Sequence, residues 1–287
     1  MTVHLKLKYI QSGKFKLGYI IEGDGDCTAL IIGSSRYYSR TFSRDLSKHL
    51  KLVFVDHRGF SESKEEVSVS DFELKIILDD IEKVRQELNL EKVIIIGHSG
   101  HGFMALEYAK KYSAHVTHVV LISMGPNTSQ ASQKLADEYF STHASTERKA
   151  AQAKNLETLQ QELDAHPEKS FITFCLKLGP RSWYDYNYDA NPLWESVSVN
   201  MPAFDYLWGK VFAEIDITNG LENFDIPVLL VLGKYDCLVA PYYTWDNIKH
   251  KFNNLTIKIF DKSSHTPQLE ESARFDKELL AWLSWAK

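Results

Sequence analysis

Three residues that lie far apart in the sequence have the types needed for nucleophilic catalysis: a serine, an aspartate and a histidine. Ser99 lies between glycines in segment 93–102, where an apolar run predicted to be a strand leads directly into a helical pattern. A serine hydroxyl is a weak nucleophile at neutral pH, so an enzyme that uses one presents it on a sharp turn beside a general base. The segment therefore has the layout of a nucleophile elbow.

The elbow pattern departs from its usual form at one position. Gly97 provides the small residue two places before Ser99, but the place two residues after the serine holds His101, and the glycine follows as Gly102. A side chain at position 101 must fit where a helix and a neighbouring strand normally pack closely. Two interpretations of His101 follow from the sequence, namely simple packing or a direct role in shaping the pocket.

A base and an orienting acid for the serine come later in the chain. Asp236 lies just beyond an apolar strand predicted for residues 228–232, and His265 lies just beyond the next predicted strand, residues 255–260. Because the carboxyl ends of parallel strands meet at one edge of a sheet, we expect all three side chains at the same edge. Ser99, Asp236 and His265 are therefore a candidate catalytic triad, in the chain order serine, acid, histidine.

The elements that must position these residues follow from the hydrophobic pattern. Short apolar runs, typical of strands covered on both faces, occupy residues 28–32, 52–55, 92–96, 116–122 and 228–232. Amphipathic helical patterns occupy residues 38–50, 72–88 and 102–112, and Asp71 is a candidate cap for the second of them. This alternation predicts an α/β fold with a mostly parallel sheet and helices on both of its faces.

The N-terminal part of the chain has a different pattern. Apolar and polar residues alternate over residues 3–10 and 14–22, on either side of Gln11, Ser12 and Gly13. Such alternation is typical of strands with one solvated face, so we predict an antiparallel hairpin whose turn lies at residues 11–13.

The strand and helix alternation is interrupted by a long insertion. We predict a core domain formed by residues 1–125 and 221–287, and a helical cap, or lid, formed by residues 126–220. Residues 130–163 and 169–178 have helix-forming patterns. The following stretch is aromatic, with Trp183, Tyr184, Tyr186, Tyr188, Trp194, Phe204, Tyr206, Trp208 and Phe212. As a group, these rings are expected to line a pocket between cap and sheet.

Composition excludes several function classes. The net charge is -5, from 33 basic and 38 acidic residues with no long basic run, which favours neither nucleic-acid binding nor attraction to an anionic membrane surface. No apolar run is long enough to span a bilayer, and residues 1–11 do not have the pattern of a signal segment. Cys27, Cys175 and Cys237 are widely spaced and lack metal-ligand partners, so we expect reduced thiols in a cytoplasmic protein without metal or cofactor. The expected partner is a small-molecule ester or short peptide, and homo-oligomer formation stays open.

The sequence resembles the α/β-hydrolases over nearly its whole length outside the insertion. Four segments carry the resemblance: residues 96–100 (Ile-Gly-His-Ser-Gly), 55–63 (Val-Asp-His-Arg-Gly-Phe-Ser-Glu-Ser), 233–236 (Gly-Lys-Tyr-Asp) and 264–267 (Ser-His-Thr-Pro). It implies that Ser99 attacks a carbonyl carbon, that His265 accepts and returns the proton, and that Asp236 orients the imidazole. The serine at the elbow argues against the dehalogenase and epoxide-hydrolase relatives, which use an aspartate nucleophile.

The resemblance also implies an oxyanion hole, formed by the backbone amides of Gly100 and Ser34. The loop that holds the second amide normally begins with His-Gly, whereas here Ile32 precedes Gly33, so the histidine that usually supports this loop is absent. Donation through the Ser34 amide does not require that side chain. The loop after the predicted fourth strand, with Asp56, His57 and Arg58, is interpreted as structural, and His57 and His98 as packed histidines.

The insertion resembles the helical caps of proline iminopeptidases and related small-ester hydrolases. The candidate pocket residues are Trp183, Trp194, Glu195, Phe204, Trp208 and Glu214. The peptidases bind the α-amino group of the substrate through cap carboxylates, for which Glu195, Glu214 and Asp216 are candidates. The main hypothesis is a serine hydrolase acting on a small carboxylic ester, and the alternative is an aminopeptidase for N-terminal proline or another small residue. The altered positions 32 and 101 motivate a third hypothesis, a ligand-binding or sensing module with little catalysis.

Overall fold

The fold is organised around one mixed β-sheet. The computed structural model describes residues 6–285, and its strands are β1 (Lys8–Ser12), β2 (Phe15–Glu22), β3 (Thr28–Gly33), β4 (Lys51–Asp56), β5 (Glu62–Ser63), β6 (Val93–His98), β7 (Val116–Ile122), β8 (Val228–Gly233) and β9 (Leu255–Phe260). The strand order is β1-β2-β4-β3-β6-β7-β8-β9, and β5 pairs with β2. All neighbours from β4 to β9 are parallel, whereas β1, β2 and β5 pair antiparallel. The predicted fold class is confirmed.

The central strands are buried on both faces, which explains their continuous apolar sequence. In β6, Ile95 belongs to one hydrophobic cluster, while Ile94 and Ile96 belong to the cluster on the opposite face. Side chains of a strand alternate between its two faces, so a strand covered by helices on both sides needs apolar residues at every position.

Helices cover both faces of the sheet. Those of the core are α1 (Ser35–Tyr38), α2 (Leu74–Glu87), α3 (His101–Lys111), α12 (Pro267–Glu270) and α13 (Ser272–Trp285). Residues of α2 and α3 belong to one hydrophobic cluster, and residues of α1 and α13 belong to the other. No helix within residues 6–285 is both long enough and apolar enough to cross a membrane.

The chain between β7 and β8 is helical. It contains α4 (Gln130–His143), α5 (Thr146–Glu157), α6 (Leu159–Ala165), α7 (Ser170–Lys177), α8 (Gly179–Ser182), α9 (Asn191–Trp194), α10 (Met201–Tyr206) and α11 (Phe212–Glu214). A π-helical turn at Leu207–Val211 joins α10 to α11. Such turns are rare and are frequently found at functional sites, and this one carries Trp208.

The N-terminal hairpin differs in detail from its prediction. Ser12 pairs with Phe15, so the turn consists of Gly13 and Lys14 rather than residues 11–13. Gly13 has a φ of 55°, which suits the first central position of a two-residue hairpin turn. Residues 3–5 of the predicted first strand lie outside the described residues.

Two predictions about helices were wrong. The helix predicted for residues 38–50 is absent: α1 ends at Tyr38, and only a short 3-10 turn follows at Leu46–Lys48. Ser43 uses its hydroxyl to bond Asp276 and the Leu46 amide, so a side chain replaces the helical backbone bond there. Asp71 does not cap α2 but forms a capping box with Ser68 on the 3-10 turn Val69–Phe72.

Candidate active site

The predicted catalytic residues follow different strands of the parallel sheet. Ser34 comes directly after β3, Ser99 directly after β6, Asp236 shortly after β8 and His265 shortly after β9. The carboxyl ends of parallel strands lie at one edge, so segments far apart in the sequence are brought to a common site.

Ser99 lies on a strained turn between β6 and α3. Its φ is 56°, an uncommon value for a residue with a side chain, and its amide donates to the carbonyl of Ile122 at 2.8 Å. A Cβ atom on Gly97 would lie 2.2 Å from the His101 carbonyl oxygen, and one on Gly102 would lie 2.5 Å from Sδ of Met124. The turn therefore requires Gly97, where the clash is with backbone, whereas a side chain at Gly102 would displace Met124; the Ser99 residue is left partly exposed at the sheet edge.

His265 and Asp236 form a buried pair. Nδ1 of His265 donates to Oδ2 of Asp236 at 2.8 Å, and both residues are about 95% buried. The second carboxylate oxygen of Asp236 accepts from the amides of Leu238, at 2.9 Å, and Val239, at 3.4 Å. Since an ionised carboxylate can only accept, the proton of the neutral imidazole lies on Nδ1 and the Nε2 lone pair is available as a base.

The backbone of His265 is fixed on two sides. Its amide donates to the carbonyl of Ser182 at 2.9 Å, and its carbonyl accepts from Nε2 of His98 at 2.6 Å. The rings of His98 and His265 lie with their centroids 4.8 Å apart. The histidine loop is therefore held directly against the residue that precedes Ser99.

Glu270 supports the same loop from below. Its carboxylate accepts from the amides of Ser264 and Thr266, both at 3.0 Å, and from the amide of Tyr184 at 2.5 Å. Burial, with a further contribution from the charge of Asp236, raises the pKa of Glu270 to about 7. Glu270 thus joins the two residues that flank His265 to the segment between β7 and β8.

The loop after β3 is supported by Asp56. Oδ1 of Asp56 accepts from the amide of Ser35 at 2.5 Å, and the Ser34 hydroxyl accepts from the amide of Tyr37 at 3.3 Å. Burial raises the pKa of Asp56 to about 7, although the bond from Ser35 favours its charged form. Among the described residues, the amides of Ser34 and Gly100 are not found to donate to any acceptor, so both are available to a ligand. Asp56 thus supports the loop that the missing histidine would otherwise support.

Arg58 has a structural partner. Its Nε and Nη2 atoms donate to the two oxygens of Asp80 at 2.6 and 3.1 Å, and the pair is buried. Its Nη1 atom donates to the carbonyl of Asp71. All these contacts are intramolecular, which agrees with the structural interpretation of this loop.

Three further histidines are buried beneath the elbow. His101 lies against Tyr38, His57 and Trp208, whereas the close contact with Met124, which follows β7, is made by Gly102. Burial lowers the pKa of His57 and of His98 to about 3 and lowers that of His101 well below its usual range. Within the described part of the chain, no group of three His, Cys, Asp or Glu side chains is arranged to hold a metal ion.

Aromatic side chains cover the elbow. Trp208 packs so closely on Gly100 that a Cβ atom there would lie 2.6 Å from the indole. Phe204 stacks on Trp208 with centroids 4.7 Å apart, and Phe171 packs on Phe204 at 4.0 Å. The backbone amide of Gly100 therefore lies below a wall of rings from α7, α10 and the π-helical turn.

The family profile for the alpha/beta hydrolase fold matches residues 31–272. This chain belongs to the alpha/beta hydrolase family. The AB hydrolase superfamily protein YclE of Bacillus subtilis is 43% identical to this hydrolase over 272 residues, which cover 95% of this chain and 96% of YclE. A proline iminopeptidase of Saccharolobus solfataricus is 24% identical over 249 residues, covering 80% of this chain and 75% of its own.

A solved structure with the same fold is a thermophilic esterase from Thermogutta terrifontis. Its TM-score with this hydrolase is 0.68 at 15% sequence identity, and the match covers 98% of this chain and 99% of the esterase. At that level of identity the likeness extends to the fold and no further.

The predicted pocket residues of this alpha/beta hydrolase are not all at the same place. Phe204 and Trp208 lie at the elbow, while Trp194 packs on Tyr37 of α1 with centroids 4.4 Å apart. Trp183 is buried against Tyr188, next in sequence to the Ser182 carbonyl that bonds His265.

The predicted acidic residues lie elsewhere. Glu195, Glu214 and Asp216 are exposed, and none of their contacts within residues 6–285 joins them to the proposed triad. The main-chain carbonyl of Glu195 accepts from Arg40, and the Asp216 carboxylate accepts from the amide and hydroxyl of Thr218.

Sequence reasoning missed Tyr38, Phe171 and Glu270. Tyr38 fell inside a wrongly predicted long helix, and Phe171 was one apolar residue in an amphipathic pattern. Nothing in the sequence distinguishes Glu270 from other acidic residues close to the start of a helix. Only the missing histidine before Gly33 gave a signal, since it indicated that the oxyanion loop needed some other support.

Cavity size alone does not locate the site. A groove of about 1090 Å³ lies at the opposite edge of the sheet, where β7, β8 and β9 begin, with Val116, Pro227 and Asn254 on its wall. A smaller cavity of about 130 Å³ lies beside the loop after β3 and is lined by Ser34, Arg36, Asp56, Phe60 and residues 196–198, among others. This cavity borders Ser34, a predicted oxyanion residue, but Ser99, Asp236 and His265 are not among the residues that line it.

Proposed function

We propose that this protein is a serine hydrolase that cleaves small carboxylic esters through an acyl-enzyme on Ser99. The observation that carries the proposal is the buried hydrogen bond between His265 and Asp236, held against the residue that precedes Ser99. This arrangement supplies the base and its orienting acid beside a serine on a strained elbow, as nucleophilic acyl transfer requires.

The proposed reaction has two halves. Oγ of Ser99 attacks the ester carbonyl carbon while Nε2 of His265 accepts its proton, and Asp236 stabilises the resulting imidazolium. The carbonyl oxygen, now negative, accepts hydrogen bonds from the amides of Gly100 and Ser34. The C–O bond then breaks and His265 returns the proton to the leaving alcohol. In the second half, water attacks the acyl-enzyme by the same steps and releases the carboxylic acid.

Residues 126–220 would act as the lid of this site. Trp208 packs on Gly100, and the amide of Tyr184 donates a hydrogen bond to Glu270. Residues 126–220 therefore contact both the elbow and the loop that carries His265. The rings of Phe204 and Trp208 exclude water from the region above Gly100, which strengthens hydrogen bonds to a developing negative charge.

An aminopeptidase is the alternative reaction, since a proline iminopeptidase is among the relatives. That reaction needs a carboxylate to bind the free α-amino group of the substrate. The three carboxylates suggested from the sequence, Glu195, Glu214 and Asp216, are exposed. Glu270 is largely buried, but its oxygens already accept three amides. These positions support the ester substrate over the peptide.

The test combines an active-site probe with a substrate panel. A fluorophosphonate should label wild-type protein at Ser99 and leave Ser99→Ala unlabelled, and p-nitrophenyl acetate should be hydrolysed faster than a proline arylamide. The reverse preference, together with a loss of activity in Glu214→Ala, would favour the aminopeptidase. Folded wild-type protein that forms no adduct at Ser99 would refute the hydrolase and leave a ligand-binding module.

A further inference from the structure

A directed chain of hydrogen bonds runs beneath the elbow, and its first end is fixed at His57. Nδ1 of His57 accepts from the amide of Gly59 at 3.0 Å, so its imidazole proton lies on Nε2. Nε2 of His57 lies 3.1 Å from Nε2 of His101 and donates to it. The proton of His101 therefore lies on Nδ1, which is 2.9 Å from the hydroxyl oxygen of Tyr38 and 3.2 Å from the carbonyl oxygen of His98, so this N–H is shared between two acceptors.

The second end is fixed independently at His265. The His265 carbonyl can only accept, so Nε2 of His98, 2.6 Å away, carries the proton. Nδ1 of His98 is then an acceptor, and it lies 3.1 Å from the Tyr38 hydroxyl. Tyr38 donates to His98 and accepts from His101, so the two assignments meet at one hydroxyl without conflict.

We propose that His101 and Tyr38 are positioning residues for catalysis, which hold the His265 backbone against the elbow through this directed chain of neutral hydrogen bonds. The inference rests on the proposed function, because it assigns these residues a role in placing the proposed base. It assigns a role to the histidine that stands where the elbow pattern has a glycine.

The surroundings keep the chain in one protonation state. His57, His98, His101 and Tyr38 are all at least 96% buried, and within residues 6–285 their side chains hydrogen-bond to neutral groups only. Burial lowers the pKa of the imidazoles and raises that of the Tyr38 hydroxyl well above its usual value. All four groups therefore remain neutral across the pH range in which a hydrolase works, and the direction of the chain does not reverse.

The chain connects three segments at this edge of the sheet and, through His98, reaches the backbone of His265. Tyr38 comes from α1 after β3, His57 from the loop after β4, and His98 and His101 from the two sides of the elbow. Tyr38 is itself held in place, because its ring packs on Gly33 so tightly that a Cβ atom there would lie 2.0 Å from it. A glycine at position 101 would interrupt the chain between His57 and Tyr38.

The first test is kinetic and uses Tyr38→Phe, which removes one oxygen atom and keeps the ring. With p-nitrophenyl acetate we expect kcat to fall about tenfold while KM changes less than about twofold, because the base is misplaced and the binding surface is intact. The matched control is Tyr108→Phe, since Tyr108 is fully buried and donates to Glu82 at 2.8 Å, away from the site. If both variants fold and Tyr38→Phe keeps the kcat of Tyr108→Phe, the proposal is wrong.

The second test reads the proton positions and does not depend on turnover. Nitrogen NMR of histidine-labelled protein should find His57 and His98 protonated on Nε2 and His101 on Nδ1, and Ser99→Ala should leave this pattern unchanged. Any other set of tautomers would overturn the chain even if the protein is an active esterase. Conversely, the pattern can be present while Ser99→Ala retains full turnover, which would refute the proposed function and leave the chain as a structural feature.

Discussion

His265 and the three buried histidines lie at the same edge of the sheet but have opposite surroundings. His265 is bonded through Nδ1 to the carboxylate of Asp236, and among the described residues no hydrogen bond to its other ring nitrogen is found. The buried three are bonded only to imidazole, hydroxyl or backbone groups, and burial lowers the pKa of each of them. In the proposed reaction, the hydrogen-bond partners, and not the residue type, decide which imidazole accepts a proton from Ser99 and which imidazoles only connect loops.

The largest decrease in kcat should come from removing His265, the imidazole that has a carboxylate partner. His265→Ala is expected to lower kcat by about 10⁶, because no other side chain can take the Ser99 proton. Burst and steady-state kinetics with p-nitrophenyl acetate measure this loss, with His166→Ala, at an exposed position, as the matched control. If His265→Ala kept the activity of the parent protein, His265 would not be the base, since another group would have to accept the proton.

A smaller loss should follow from changing the partner and keeping the imidazole. Asp236→Asn is expected to lower kcat by about 10⁴, because the amide can no longer hold the Nδ1 proton and the wrong tautomer is populated. Asp246→Asn, which alters an exposed carboxylate paired with Lys249, should leave kcat unchanged. An Asp236→Asn protein with native stability and parent kcat would mean that the carboxylate does not set the state of His265.

Asp56 can be compared with Asp236, because it is also a buried carboxylate but accepts a hydrogen bond from a backbone amide and not from an imidazole. Asp56→Ala should reduce kcat by about 10- to 100-fold, since the loop carrying the Ser34 amide loses its bond at Ser35. The control is Asp276→Ala, a buried carboxyl that accepts from Ser43 outside the site. Equal kcat in the two folded variants would show that the loop needs no such support.

The smallest effect concerns stability and tests whether the connectors stay neutral. Because the pKa of His101 is lowered on folding, the unfolded chain binds a proton below about pH 6.5 that the folded protein does not bind. Protonation therefore favours unfolding as the pH falls, by up to about 1.4 kcal/mol per pH unit for each such histidine. Stability is fully present above about pH 6.5 and is lost below it.

Replacing His101 with glutamine should therefore flatten the pH dependence. Urea unfolding between pH 6.5 and 5 is expected to give His101→Gln a slope smaller than that of wild type by about 1.4 kcal/mol per pH unit. Tyr38→Phe, which keeps all three imidazoles, serves as the control and should remain nearly parallel to wild type. The raised pKa values of Asp56 and Glu270 act in the opposite direction in all these proteins and cancel in the difference. Parallel curves for His101→Gln would mean that this imidazole already binds a proton in the folded state.

The fold could be predicted from the sequence because each central strand contains a recognisable run of apolar residues. The runs at Val116–Ile122 and Leu255–Phe260 were predicted with the bounds that the structure has, because apolar residues predominate in both. The helix predicted over residues 38–50 failed for the opposite reason. The spacing of its apolar residues was suitable for a helix. However, hydroxyl side chains such as Ser43 form local hydrogen bonds with the backbone in place of helical ones, and the spacing of apolar residues does not reveal this.

The site could be predicted only where a residue is tied to a strand end. Ser99, Asp236 and His265 follow strands, so the topology alone brings them to one edge. Tyr38 and Glu270 act through hydrogen bonds to loops that are distant in sequence, and no local pattern encodes such partners. The acidic residues suggested for the lid show the same limit, since composition gives their charge but not the direction in which they point.

The contact between Gly100 and Trp208 links the evolution of the two regions it joins. A methyl group on residue 100 would lie 2.6 Å from the indole, so Gly100→Ala on its own must displace Trp208, whereas the same change beside a smaller side chain at position 208 would avoid this clash. The two substitutions are therefore not additive, and the order in which they arise decides whether each is tolerated. The same contact limits which insertions from relatives could replace residues 126–220. A replacement would need, at position 208, either a flat ring or a side chain small enough not to displace the elbow.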